Sequence, residues 1–356
     1  MAEILEQQRT RTPMGRSPGR RSLVMPVATG ALVLALTVWF IAANRAEIPA
    51  AILAVRSADA LFLALAALLS VAFMLNLAAF HQATYLAVGL RIPFWTMVRL
   101  SAAGHFLNLV SKAGGMGGLL FYLRDARRRQ QSRGLVVTSY LLATLLGHFA
   151  FGAVMVVGLA VVWADGALAG PELVAGAVYG LYLVGHTAVL ITAARSRTAL
   201  RFLHALPARL ARRARALAGR PGPAAPLSHT AADELHDAVT VLVRRPRAML
   251  APGFHALLLE AIGVAMLWLV LRAFSVNTGP GLPLVGYSFV VLFTIVSLLP
   301  AGVGTAEVSL GVVLIAFGVS GATAAVVVAA FRLCEIWIPF ALGGWAAQSL
   351  ARERAP

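Results

Sequence analysis

The chain contains apolar stretches longer than any soluble helix needs to bury. From Ala60 to Leu90 there is no aspartate, glutamate, lysine or arginine, and nearly uninterrupted apolar segments recur at Leu23–Ala43, 134–163, 172–194, 248–274 and 322–350. A helix rises 1.5 Å per residue, so about 20 such residues cross the ~30 Å hydrocarbon core of a bilayer. Composition agrees: 60% of the residues are hydrophobic and 12% are charged, against roughly 25% charged in soluble domains. The fold class expected is therefore an all-α polytopic membrane protein. The segment Leu23–Ala43 is read as an uncleaved first span, because the apolar core of a signal peptide is only ~7–15 residues.

Two regions break this pattern. Residues 93–123 are mostly apolar but interrupted by Lys112-Ala-Gly-Gly-Met-Gly-Gly118, and residues 284–319 by Pro300-Ala-Gly-Val-Gly-Thr-Ala-Glu307. Neither half of either segment is long enough to span with margin. Each is expected to enter and leave on one side as a re-entrant hairpin, giving about six full spans plus two hairpins. The organisation expected is a basic, disordered cytoplasmic tail (1–22), a first membrane half (23–194) with hairpin 93–123, and a basic cytoplasmic loop with surface helices (195–247). A second membrane half (248–350) with hairpin 284–319 and a short tail (351–356) follow. The turn before the second hairpin is placed at Gly279–Pro283, and the last span is read as running from Ala322 to about Leu350.

Charge asymmetry orients this arrangement. The net charge is +16, and of 30 basic residues 29 are arginine. With both termini inside, 25 arginines fall in cytoplasmic segments and three (Arg45, Arg56 and Arg272) outside, as the positive-inside rule requires. The bias accounts for the basicity without nucleic acid. It also turns the 195–247 loop toward anionic lipid headgroups, and the expected location is the cell (inner) membrane, multi-pass.

A shift of 188 residues brings the two broken regions into register, with Lys112–Gly115 on Pro300–Val303. Identities are few. The shared order is a span, a hairpin with a glycine break, a short apolar arm and a long span. With the hairpins opening to opposite sides, this is the inverted repeat common among transporters.

The stretch Asn108-Leu-Val-Ser-Lys-Ala-Gly-Gly-Met-Gly-Gly118 with Ser132-Arg-Gly134, and Leu298-Leu-Pro-Ala-Gly-Val-Gly-Thr-Ala-Glu307 with Phe317-Gly-Val319 and Phe331-Arg-Leu333, resemble the transmembrane region of lysylphosphatidylglycerol synthases, the flippase-like integral membrane family. The resemblance covers roughly residues 25–350. In the first motif Lys112 stands where the family usually has proline, and Gly117 and Gly118 where an acidic residue often follows. No soluble aminoacyltransferase segment follows, so the resemblance implies the lipid-translocating part without the synthase.

Charges inside apolar segments mark the candidate site. Lys112, Glu260, Glu307, Arg332 and Glu335 each cost ~2.5–3.5 kcal/mol at the bilayer centre on insertion scales. They are retained either as structural ion pairs or as the lining of a wet headgroup path. Arg332 and Glu335, at i, i+3, share a helix face. Glu307 and Arg332 lie on either side of the turn near Gly318–Gly321, at matching depth. Gly302 and Gly304 can break a helix and Thr305 can cap the one that restarts, whose unpaired N–H groups favour a phosphate. Gly114 and Gly115 offer the same from the first hairpin, beside Lys112. Glycines that merely allow close helix packing are the plainer reading. Glu260 and Glu335 balance charge or carry protons.

The sequence offers no enzyme chemistry. Gly302-x-Gly304 follows no strand and lacks the third glycine of a dinucleotide fingerprint. The lone Cys334 excludes an intrachain disulfide and a cysteine-based zinc cluster, and His105, His148, His186 and His255 have no metal-ligand spacing. We expect a non-enzymatic lipid translocase that uses no cofactor and no ATP. Its expected partner is a phospholipid or lipid-linked substrate, with a synthase or glycosyltransferase as a possible protein partner. The competing expectations are a non-transporting accessory subunit for a lipid or glycan synthase, and a small-solute transporter.

Overall fold

A computed structural model describes residues 52–53, 55–111, 116–164, 170–198, 233, 236, 240, 246–277, 279–297 and 299–352, and their regular structure is entirely helical. The tail 1–22, the span predicted at 23–43, Lys112, Gly114, Gly115 and nearly all of the 195–247 loop lie outside the described residues.

Helix α1 spans Ala60–Ala87, started by Asp59, whose Oδ1 accepts the Leu61 N–H at 2.8 Å. Pro93 then precedes α2, Phe94–Val110, and Gly118 precedes α3, Leu119–Arg128. At 17 and 10 residues these rise only ~26 and ~15 Å. Helix α3 carries Arg124, Arg127 and Arg128. Helix α4 is Arg133–Ala164 and α5 is Gly170–Arg195. After a short 3₁₀ turn at Pro246–Met249 come α6, Leu250–Ala273, and α7, Gly281–Val296.

Helix α7 begins within the predicted turn, because Pro283 is accommodated in a first turn that has no N–H partner to lose. A 3₁₀ turn at Pro300–Gly302 leads to α8, Thr305–Ala316, and then α9, Gly321–Arg332. The last predicted span is one helical run, but a π turn at Leu333–Trp337 separates α9 from α10, Ile338–Arg352.

Among the described residues, four stretches are long and apolar enough to cross a membrane: Ala60–Ala87, Arg133–Val161, Pro246–Ala273 and Gly321–Arg352. Large apolar side chains stand exposed along them, among them Leu61, Val156, Phe254 and Trp345, as expected of helices solvated by lipid. The chain is a multi-pass membrane protein. The 188-residue shift also maps helix onto helix: α1 falls on 248–275, where α6 lies, and α3 on 307–316, where α8 lies. It carries α4 onto 321–352, the bounds of α9 through α10.

Helix α6 is the central element, packed along α1 and against α4, α7 and α9. Polar side chains stitch it to α1, where the Asn76 amide donates to the His255 carbonyl oxygen at 2.9 Å and Asn76 Oδ1 meets His255 Nδ1 at 2.7 Å. His148 likewise meets the Tyr182 hydroxyl at 2.8 Å, joining α4 to α5, while His105 lies edge-on to Phe73. Histidine as interhelical glue fits these contacts.

Helix α10 packs along α2. That crossing is tight. A Cβ on Gly343 would lie 2.5 Å from the Ala102 carbonyl oxygen and 2.8 Å from Phe106 Cβ, whereas at Gly344 the nearest atom is 3.5 Å away. Gly343→Ala is therefore expected to cost ~1–3 kcal/mol through overpacking. Gly344→Ala is expected to be neutral or to gain up to ~1 kcal/mol of helix propensity. Thermal unfolding of the two variants in detergent checks the contrast.

Candidate functional site

The second hairpin folds as two short antiparallel helices, α7 and α8, joined by a left-handed backbone path. Ala301, Gly302 and Gly304 have φ of +52°, +66° and +87°. At Gly302 the reason for glycine is also steric, since a Cβ there would stand 2.7 Å from Thr294 Cα. Ala301 carries a side chain in the same region, a strain of the kind held in place at functional sites.

Arg332 holds this turn. Its Nε donates to Glu307 Oε1 at 2.7 Å, Nη1 to Glu335 Oε2 at 2.8 Å and Nη2 to the Ala301 carbonyl oxygen at 2.8 Å. Its side chain is 4% exposed, against 31% for Glu307 and 23% for Glu335. One buried guanidinium thus gathers three segments: the strained turn, the first turn of α8 and the π turn. The arrangement follows from local structure, because Arg332 ends α9 and Glu335 sits inside the π turn one helical step on. The π turn has its own outside partner, with Ser70 Oγ of α1 donating to the Cys334 carbonyl oxygen at 2.7 Å.

Two details of the expected cap are corrected. The N-cap of α8 is Gly304, not Thr305, whose hydroxyl instead donates back to the Gly302 carbonyl oxygen at 2.9 Å. The Gly304 N–H donates to Glu307 Oε2 at 2.6 Å, with the acidic residue at N3 reaching back to the cap. The end of the half-helix, expected to offer bare N–H groups to a phosphate, already carries the protein's own carboxylate. An incoming phosphate would have to compete with Glu307 there, and the triad formed by Glu307, Arg332 and Glu335 has two acids to one base.

Glu260 lies one step away on α6, and the Tyr287 hydroxyl of α7 donates to its Oε2 at 3.0 Å. Gly263 makes room for that contact, because a side chain there would overlap the Tyr287 ring. Tyr287, Gly263 and the Ala301 carbonyl went unnoticed in the sequence. Gly263, three residues after an intramembrane acid, was the one available signal.

The first hairpin is closed differently. Asn108 Oδ1 accepts the Gly118 N–H at 2.7 Å, and its amide donates to the Tyr140 hydroxyl at 2.9 Å. Gly118 sits against Gly104, with room for no Cβ. Helix α2 also contacts the 300–302 turn, so the first hairpin reaches the break of the second. Of the predicted site residues, the structure brings together Glu307, Arg332, Glu335, Gly302, Gly304 and Thr305. It sets Glu260 beside them with Tyr287, while Lys112, Gly114 and Gly115 are outside the described residues. No group of three or more histidine, cysteine or acidic residues able to hold a metal occurs among the described residues.

Membrane-length helices, paired short helices and a buried Arg–Glu network at a broken helix define a polytopic membrane protein with polar chemistry inside its apolar layer. The model of the lysylphosphatidylglycerol synthase TM region matches residues 27–343, and the chain belongs to that family of integral membrane domains. No curated protein matches the chain.

Proposed function

We propose that the protein is a lipid translocase, moving a phospholipid or lipid-linked headgroup between leaflets without ATP hydrolysis and without being an enzyme itself. The observation that carries this reading is the Arg332 network: a guanidinium 4% exposed, bonded to two glutamates and to the carbonyl of a broken helix, within membrane-length helices. Intramembrane charges of this kind face a bundle interior or a wet cavity and mark substrate paths. Irregular backbone at membrane depth is tolerated only against protein or water. The excess of carboxylates suits the cationic part of a zwitterionic or aminated headgroup, with Lys112 left to meet its phosphate.

In this reading the short pairs α2/α3 and α7/α8 are re-entrant hairpins. Six spans and two inverted halves complete the transporter plan, and the correspondence of helix bounds at the 188-residue shift supports it. Both termini and the 195–247 loop face the cytoplasm, where the loop meets anionic lipid and a synthase or glycosyltransferase could dock. A cysteine at Ser228, introduced with Cys334→Ser, should resist membrane-impermeant maleimide in sealed cells and react after permeabilisation. Labelling in sealed cells would invert the topology.

The function itself is tested in vesicles. Purified protein reconstituted with fluorescent phospholipids should make inner-leaflet probe accessible to an external quencher without ATP. An accessory subunit would leave the probe where it started.

A further inference from the structure

The site holds more acid than its one arginine balances. Arg332 is committed to Glu307, Glu335 and the Ala301 carbonyl, and among the described residues no cation pairs with Glu260. Glu260 meets the neutral Tyr287 hydroxyl instead, at 3.0 Å. It is the eleventh residue of a 24-residue helix that crosses the apolar layer, far from either end. Gly263 clears the space that lets the tyrosine lie against α6 and reach it. The other titratable groups coupled electrostatically to it are Glu335 from the π turn and Tyr179 from α5; Arg332 lies beyond Glu335. An ionised carboxylate at that depth without a counter-charge is costly, and taking up a proton removes the cost. Tyr287 leaves one carboxyl oxygen free for that proton while it donates to the other.

We infer that Glu260 is the proton-exchanging carboxyl of the transport cycle, coupling lipid movement to a proton gradient. A proton from the aqueous side binds the free oxygen of the Glu260 carboxylate and is released to the opposite side as the site reorients. Tyr287 positions the carboxyl throughout. The coupling rests on the translocase reading, whereas the proton site itself does not.

The two are separated by measuring both. In pH-difference infrared spectra of the purified protein, the wild type should show a carboxylic C=O band that Glu260→Gln removes and that Tyr287→Phe retains at a shifted frequency. The glutamine keeps an oxygen for Tyr287 to bond, so the variant should remain monodisperse. In proteoliposomes carrying a pH-sensitive dye, wild-type lipid movement should be accompanied by proton flux, which falls to the level of protein-free vesicles in Glu260→Gln. A band absent from the wild type, or unchanged in Glu260→Gln, would overturn the proton site, and lipid movement driven by a sodium gradient with no proton flux would overturn the coupling. The band present without any lipid movement would uphold the proton site and refute the translocase reading instead.

Discussion

Arg332→Gln should be the most damaging single change in the site. It strands Glu307 and Glu335 and leaves the Ala301 carbonyl without its donor. Removing one partner of a buried ion pair typically costs ~3–5 kcal/mol, a large share of the ~5–15 kcal/mol that holds most folded proteins together. The expected result is a broadened elution profile and a sharp drop in thermal midpoint. Glu307→Gln should be milder, because Arg332 keeps Glu335 and the carbonyl, and a glutamine oxygen can still accept from Gly304. The double variant Glu307→Gln, Arg332→Gln should recover part of the loss of Arg332→Gln, since it leaves one acid rather than two without a counter-charge. Non-additivity of this sign is what residues sharing one network give. Thermal unfolding and size-exclusion profiles of the three variants check the order.

Gly302→Ala should be the second large effect, and Gly304→Ala its control. Both positions have positive φ, +66° and +87°, where an alanine is strained, so backbone strain is a cost to both variants. Only at Gly302 does the new methyl meet an obstacle, the Thr294 backbone at 2.7 Å, while the space at Gly304 is open. Backbone cannot rotate out of the way as a side chain can. Overpacking should therefore add ~1–3 kcal/mol at Gly302 alone and push α7 and α8 apart, carrying the Ala301 carbonyl away from Arg332. Gly302→Ala should lose both stability and lipid movement, whereas Gly304→Ala should keep most of each. Equal melting temperatures for the two would contradict the packing assigned to this turn.

The sequence exposed those parts of the molecule that obey one-dimensional rules. Long apolar runs located α1, α4 and α6, and glycine breaks located the short helices on either side of residues 112–118 and 300–307. The i, i+3 spacing paired Arg332 with Glu335, and counting helical rise to either side of Gly318–Gly321 brought Glu307 to Arg332. What stayed hidden depends on contacts between distant segments. The 27 residues separating Glu260 from Tyr287 carry no period, and only packing of α6 on α7 brings them together. The π turn at Leu333–Trp337 leaves no signature in residue type, since its carbonyl is met by Ser70 from 264 positions away. The cap of α8 was misassigned for a local reason. Threonine is the commoner cap, but a φ of +87° at the preceding position belongs to Gly304, and Glu307 supplies the oxygen that glycine lacks.

The central claim is that the Arg332 network lies on a lipid path and is more than a clasp between helices. The most direct measurement is transbilayer movement of fluorescent phospholipid in vesicles holding equal amounts of wild type and of the monodisperse double variant Glu307→Gln, Arg332→Gln. The account predicts that the wild type exchanges the probe between leaflets and that the double variant, folded and inserted, leaves it at the rate of protein-free vesicles. A double variant that is folded and moves lipid as fast as the wild type would contradict it.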